Sequence, residues 1–288
     1  MNFGRLLTAM VTPFAPNNQV DFEQTTKLIE YLLDNGTEGL IVAGTTGESP
    51  TLTHEEKVQL FNHVVKVVGN RVPVIAGTGG NSTQASIALT KEASACGVDG
   101  ILLVTPYYNK PNQRGLYEHF KTIANETTLP IMLYNIPGRS VINMDAGTVI
   151  QLSKIENIVS LKEAGLDLDQ VATIIENTDD NFSVYSGNDS MTLPMLAIGA
   201  NGIVSVSSHI IGNEMKEMID LFFQGKVKES GTLHRTLVPV MNGLFNSPSP
   251  TPVKAALEMN GIAVGSVRLP LVDLTENEKA KLKSLLIH

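Results

Sequence analysis

The residue in this chain best suited to chemistry is a lysine at the end of an apolar run. In NIVSLKEAG (157–165), Ile158, Val159 and Leu161 have the character of a buried strand, and Lys162 closes it. An ammonium is costly to desolvate, and lysine is almost never fully buried without a partner. Either Lys162 emerges into solvent there and pairs with an acid such as Glu163, or the fold holds its amine in a cavity. A partly desolvated amine loses proton affinity, so a useful fraction is free nucleophile near neutral pH. Such an amine attacks a ketone to form an imine, and the protonated imine then acts as an electron sink for enamine formation.

Other reactive groups gather in three short stretches. The Gly-rich AGTTGESPTLT (43–53) can cradle a carboxylate with backbone N–H groups and threonine hydroxyls. It lacks the Gly-Lys-Ser/Thr ending of a nucleotide loop, and its glycines also suit a tight turn with φ > 0. TPYYNKP (105–111) and LYNIPGRS (133–140) put phenols at two strand ends. A phenol both donates and accepts, so a bridging hydroxyl would make a proton relay, although Tyr107, Tyr108 and Tyr134 also suit a plain rim. Arg139 follows in a loop, where its fork can grip a carboxylate bidentately or form a surface salt bridge of little worth. The six histidines are scattered, with no HExxH, CxxC or GxSxG pattern, so no metal site is expected. Glu48 and Asp189 sit beside turn glycines and read as structural.

The elements that must position these groups recur with a regular beat. Apolar runs occur at 6–11, 39–44, 72–77, 99–105, 129–135, 157–162, 182–187 and 202–207. Each is nearly continuous in hydrophobicity, as strands buried on both faces of a parallel sheet require. Amphipathic stretches lie between them, among them FEQTTKLIEYLLDNG and HEEKVQLFNHVVKVVGN, the latter opened by Thr53 and closed by Gly69. About eight such units in 288 residues predict an α/β fold, a (β/α)8 TIM barrel. An open doubly wound sheet would want a GxGxxG turn after its first strand, and none is present. Helical patterns continue from about 212, so the expected division is a catalytic barrel over 1–225 and a C-terminal helical region over 226–288. Barrel active sites lie at the C-terminal ends of the strands. Reading those ends gives Thr12, the Gly44–Glu48 turn, Gly77–Thr78, Thr105–Tyr108, Tyr134–Asn135, Lys162, Ser186–Gly187 and Ser205. Lys162 is the one lysine there; the rest, in helical or loop patterns, read as solvated charges.

Composition narrows the partners. A net charge of −8 argues against nucleic acid or an anionic membrane, which need a basic face. The single Cys96 excludes an internal disulfide and fits a reducing compartment. No run reaches the length of a membrane span, and MNFGRLLTAMVTPF meets its proline too early for a signal peptide. The expected setting is cytoplasmic.

Taken in order, TAMVTPF, AGTTGES, VIAGTG, TPYYNKP, LYNIPGR, LKEA, SGND, GIVSV, PSPTPVKAAL and RLPL resemble the pyruvate-dependent Schiff-base lyases of the dihydrodipicolinate synthase and N-acetylneuraminate lyase superfamily. The resemblance spans nearly the whole chain and is strongest to the dihydrodipicolinate synthase branch. It implies that Lys162 forms the imine with pyruvate and that Tyr134 donates and accepts protons beside it. It implies that Thr45 links Tyr134 to Tyr108, with Tyr108 reaching into a neighbour's site across a tight dimer interface in a homodimer or homotetramer. Thr46 and the backbone at Val204 would hold the pyruvate carboxylate, and Arg139 that of aspartate semialdehyde. Neither metal nor dissociable cofactor is implied. Sialic acid lyases typically show Ser-Thr in the first motif and lack the arginine after YN-x-P, so this chain departs from them. A pyruvate-forming aldolase of 2-keto-3-deoxy sugar acids is the nearer rival.

One departure bears on regulation. Feedback-inhibited relatives bind lysine through a His after the first motif, an Asn and a Glu after GTG, and a Tyr. His54, Asn81 and Tyr107 match, but Lys57 and Ala85 stand where a second His and the Glu are expected. Losing the acid and adding a cation both oppose an ammonium ligand, so weak or absent inhibition by lysine is expected.

Overall fold

The computed structural model describes residues 3–286. All eight apolar runs become strands: β1 (Leu6–Ala9), β2 (Gly39–Val42), β3 (Val74–Gly77), β4 (Gly100–Val104), β5 (Ile131–Asn135), β6 (Ile158–Glu163), β7 (Ser183–Ser186) and β8 (Gly202–Ser205). They pair in sequence order, all parallel, and β8 returns to β1 to close the barrel.

Strand residues alternate between two faces, so register decides which side chains point inward. Leu7 stands opposite Gly39 and Val204, Ile41 opposite Ile75, and Leu102 opposite Met132. Tyr134 is opposite Lys162, which is itself opposite Tyr185. These inward residues pack with Phe3 into the barrel interior. The alternate set, including Leu40, Val74, Leu103, Leu133, Leu161 and Val184, faces the surrounding helices and belongs to the larger core. Burial of both faces is why the strands read as unbroken apolar runs.

The surrounding helices are α1 (Phe22–Asp34), α2 (His54–Val68), α3 (Thr83–Ala95), α4 (Gln113–Ala124), the single turn α5 (Pro137–Ser140), α6 (Ala146–Leu152), α7 (Leu168–Glu176), α8 (Thr192–Ala197) and α9 (Ser208–Phe223). Thr53 and Glu56 form the reciprocal cap of α2, and Gly69 ends it at φ 57, as the start and stop signals predict. The first residues of α9 precede the amphipathic pattern and are set off by a non-helical Ile211.

Three more helices follow: α10 (Val227–Gly243), α11 (Thr251–Met259) and α12 (Glu276–Leu286). From α10, Leu237 and Met241 pack on Met215, Met218 and Ile219 of α9. Val253, Ala256 and Leu257 of α11 join the main core. No helix among the described residues is long and apolar enough to cross a membrane.

Candidate active site

The strand ends divide by parity. Thr78, Asn135, Glu163, Ser186 and Ser205 lie on the outward face and make bonds there. Thr78 pairs with Thr90 at 2.9 Å, and Ser186 donates to the Asn188 carbonyl at 2.8 Å. Asn135 donates to Glu163 at 2.9 Å, and Glu163 also accepts the Gly165 N–H. Glu163 therefore does not neutralise Lys162, because consecutive residues of a strand point to opposite faces. The solvated, Glu163-paired reading of Lys162 is excluded.

Lys162 points inward and is only 5% exposed. Its amine lies 4.2 Å from the centre of the Tyr134 ring, its cross-strand neighbour. Burial pulls the amine down to about 7, with the Asp189 carboxylate opposing and the Arg139 guanidinium adding to the fall. Burial likewise pushes the Tyr134 phenol up to about 12, opposed by Arg139 and the Thr45 hydroxyl. At neutral pH the pair is thus a partly free amine beside a protonated phenol, the states that imine formation needs.

Above this pair opens a cavity of about 210 Å³ whose walls include Thr45, Tyr107, Tyr134, Ile136 and Arg139. Gly77 and Gly79 also line it. A Cβ at Gly77 would collide with the Ala43 carbonyl, and one at Gly79 with the Val104 backbone, so the GTGG stretch lets three strand ends meet. Arg139 sits on the one-turn α5 rather than in an irregular loop, with its side chain exposed at the cavity mouth.

The Gly44–Glu48 stretch is a tight turn after β2. The Glu48 N–H donates to the Thr45 carbonyl at 3.1 Å and the Ser49 N–H to the Gly44 carbonyl at 3.2 Å. Thr12 ties it to β1 by donating to the Gly47 carbonyl at 2.7 Å. Thr46 is buried within this turn, and Val204 is buried in the barrel interior beside Tyr134. Thr45, Tyr134 and Arg139 thus line one cavity, and the Lys162 amine lies against Tyr134; Thr46 and Val204 are not among the residues lining it. Tyr108 does not join them. It is 90% exposed and holds φ at 75, a backbone state uncommon for a residue with a side chain.

Asp189 proves structural in its bonds yet not inert in its charge. Buried, it accepts from the Ser205 hydroxyl and from the N–H groups of Val206 and Ser207. Burial raises its proton affinity and the bonds oppose this. Its position in SGND beside a strand-end glycine is the only sequence signal for it. Lys254 is not the solvated helical charge its pattern suggests: it is 2% exposed and ion-paired to Glu48 at 2.8 Å. Among the described residues no three His, Cys, Asp or Glu side chains converge to hold a metal.

Comparison with known proteins gives a consistent picture. Residues 2–288 match the model of the dihydrodipicolinate synthetase family. The chain is 60% identical over 286 residues to a 4-hydroxy-tetrahydrodipicolinate synthase of Oceanobacillus iheyensis, covering 99% of this chain and 97% of the relative. It is 55% identical over 285 residues to the protein of that name from Bacillus subtilis, with 99% and 98% covered. Among solved structures, a dihydrodipicolinate synthase from Bacillus anthracis superposes with a TM-score of 0.98 at 60% identity, covering 99% of this chain and 98% of the other. One from Cyanidioschyzon merolae with lysine bound gives 0.97 at 47% identity, with 99% and 97% covered.

Proposed function

The chain belongs to the dihydrodipicolinate synthetase family, and from that premise we propose that it condenses pyruvate with L-aspartate 4-semialdehyde through an imine on Lys162. The product is 4-hydroxy-tetrahydrodipicolinate, and the enzyme is a lyase of the Schiff-base class. The observation that carries this reading is the buried Lys162 amine, brought down to about 7 and held against Tyr134.

The free amine adds to the pyruvate carbonyl, and the Tyr134 phenol supplies the proton with which water departs. A proton then leaves the pyruvate methyl group, and the protonated imine takes up the electron pair as an enamine. The enamine carbon attacks the aldehyde of the second substrate, whose oxygen takes a proton. The product's own amine displaces Lys162 by transimination and closes the ring. The lysine supplies the electron sink throughout.

The remaining residues take supporting roles in this proposal. Thr45 passes protons between Tyr134 and a tyrosine on its far side. Tyr108 of this chain stands too exposed to be that partner within its own site, which supports a second copy supplying it and hence a homodimer or homotetramer. Thr46 and the Val204 backbone hold the pyruvate carboxylate. Arg139, at the cavity mouth, grips the carboxylate of the semialdehyde with its planar fork.

Offering the enzyme aspartate semialdehyde with pyruvate, and separately 2-keto-3-deoxygluconate, tests the substrate. Rapid condensation of the first pair with little cleavage of the sugar acid is expected. The reverse preference would overturn the assignment.

A further inference from the structure

The C-terminal helices reach the active-site turn through a buried ion pair that the chemistry above does not use. Lys254, in the middle of α11, places its ammonium 2.8 Å from Glu48, and both side chains are nearly sealed from solvent. The same ammonium donates to the Ser266 carbonyl at 2.8 Å and lies 4.2 Å from the centre of the Phe14 ring. The second oxygen of Glu48 accepts the Arg268 N–H at 2.9 Å. Arg268 in turn donates to the Thr51 carbonyl at 2.8 Å and forks onto Glu56 at the start of α2. Lys254 and Arg268 thus hold the two oxygens of one carboxylate in the turn after β2, and Ser266 steadies Lys254.

What that carboxylate holds is the turn itself. The Glu48 N–H closes it onto the Thr45 carbonyl, and the Glu48 carbonyl accepts both the N–H and the hydroxyl of Thr51, each at 3.0 Å. Glu48 sits at φ 58, in the left-handed region. A side-chain-bearing residue persists there when its surroundings over-determine it, and such residues cluster at functional sites. A buried ion pair is by itself weak support for stability, because desolvating both charges offsets their attraction. Its consequence here is geometric: it fixes the residue next to Thr45, Thr46 and Gly47.

We propose that Glu48 and Lys254 are positioning residues for the lyase reaction. Lys254 clamps Glu48, and Glu48 fixes the turn that presents Thr45 to Tyr134 and Thr46 to the pyruvate carboxylate. The proposal rests on the Schiff-base reading of the site. Misplacing a reacting or binding group by about 1 Å can cost about a hundredfold in rate.

The test compares Lys254→Met, Glu48→Gln and the double variant with Leu237→Ala, a core substitution between α9 and α10 that leaves the turn alone. Kinetics are measured at a temperature where circular dichroism shows each variant folded. Lys254→Met is expected to lower kcat/KM for pyruvate by about 10- to 100-fold, with a raised KM for pyruvate and a KM for the semialdehyde within about twofold of the unaltered enzyme. Glu48→Gln should give the same split. The double variant should be no worse than the poorer single one, since both break one interaction. Leu237→Ala should lower the melting temperature and leave kcat and both KM values unchanged. A folded Lys254→Met with unaltered pyruvate kinetics overturns the proposal. Should Lys254→Met not fold, Glu48→Gln decides by the same split, because it keeps the side chain's shape while removing its charge and one of its two acceptor oxygens. If the unaltered enzyme forms no pyruvate adduct at Lys162 under borohydride, the lyase reading falls and the positioning role with it. A normal adduct without the kinetic split removes the positioning role alone.

Discussion

Tyr134 and Lys162 stand directly opposite each other across β5 and β6, and the amine lies 4.2 Å from the centre of the phenol ring. The barrel register enforces this pairing, and the same burial acts on both groups in opposite senses. It brings the amine down to about 7 and pushes the phenol up to about 12. One group is ready to attack and the other to donate at the same pH, which is how environment assigns the two roles.

Reactivity of Lys162 should therefore follow its free-amine fraction. Trapping by pyruvate and cyanoborohydride should rise with pH through about 7 and level off above it, as mass spectrometry at successive pH values would show. Stability carries the same signature with a definite sign. The folded value lies below the ordinary 10.5 of lysine, so the unfolded chain binds the extra proton between about 7 and 10 and stability rises with pH across that window. Replacing Lys162 with Met should stabilise the protein by about 1–3 kcal/mol near pH 6. That gain should shrink towards pH 10; a gain that grows with pH in denaturant titrations would contradict the buried-amine picture.

Arg139 should matter for the second substrate and not the first. Arg139→Ala is expected to raise the KM for aspartate semialdehyde by about 10- to 100-fold, the loss of a bidentate charge-assisted contact. The pyruvate adduct should still form at close to the ordinary rate. Equal damage to both steps would place Arg139 in the pyruvate site instead.

If Tyr108 serves a neighbouring copy, two inactive variants should repair each other. Mixing Lys162→Ala with Tyr108→Phe under subunit exchange gives hybrids in which one site has both the lysine and the phenol. Random pairing into two-fold dimers then restores roughly a quarter of full activity. No recovery, with exchange verified by native mass spectrometry, would place the Tyr108 role within its own chain.

Inhibition by lysine should be weak or absent. His54 is engaged with Glu92 at 2.7 Å, and the Asn81 amide donates to the Tyr107 carbonyl at 3.1 Å. Burial lowers the proton affinity of Lys57, yet it still offers an ammonium no partner, and Ala85, whose N–H donates to the Ser82 cap of α3, supplies no acid. A clear fall in rate at sub-millimolar lysine in steady-state assays would contradict this.

The strands were legible because a parallel barrel buries both faces of each strand, leaving unbroken apolar runs with lysine as the exception at 162. Thr53 and Gly69 were legible because caps are local chemistry. Lys254 was not, since residue spacing along α11 cannot show that a carboxylate from the turn after β2 arrives to meet it. The outward turn of Thr78, Asn135, Ser186 and Ser205 was hidden for a related reason: a one-residue uncertainty in where a strand begins reverses every face. The need for Gly77 and Gly79 was hidden as well, because close approach between β2, β3 and β4 is a property of the closed barrel.

The most direct test of the account is reduction with borohydride in the presence of pyruvate, followed by peptide mapping. A single added mass is expected on the peptide carrying Lys162, abolished in Lys162→Ala together with activity. An unmodified Lys162 in enzyme that retains full activity would contradict it.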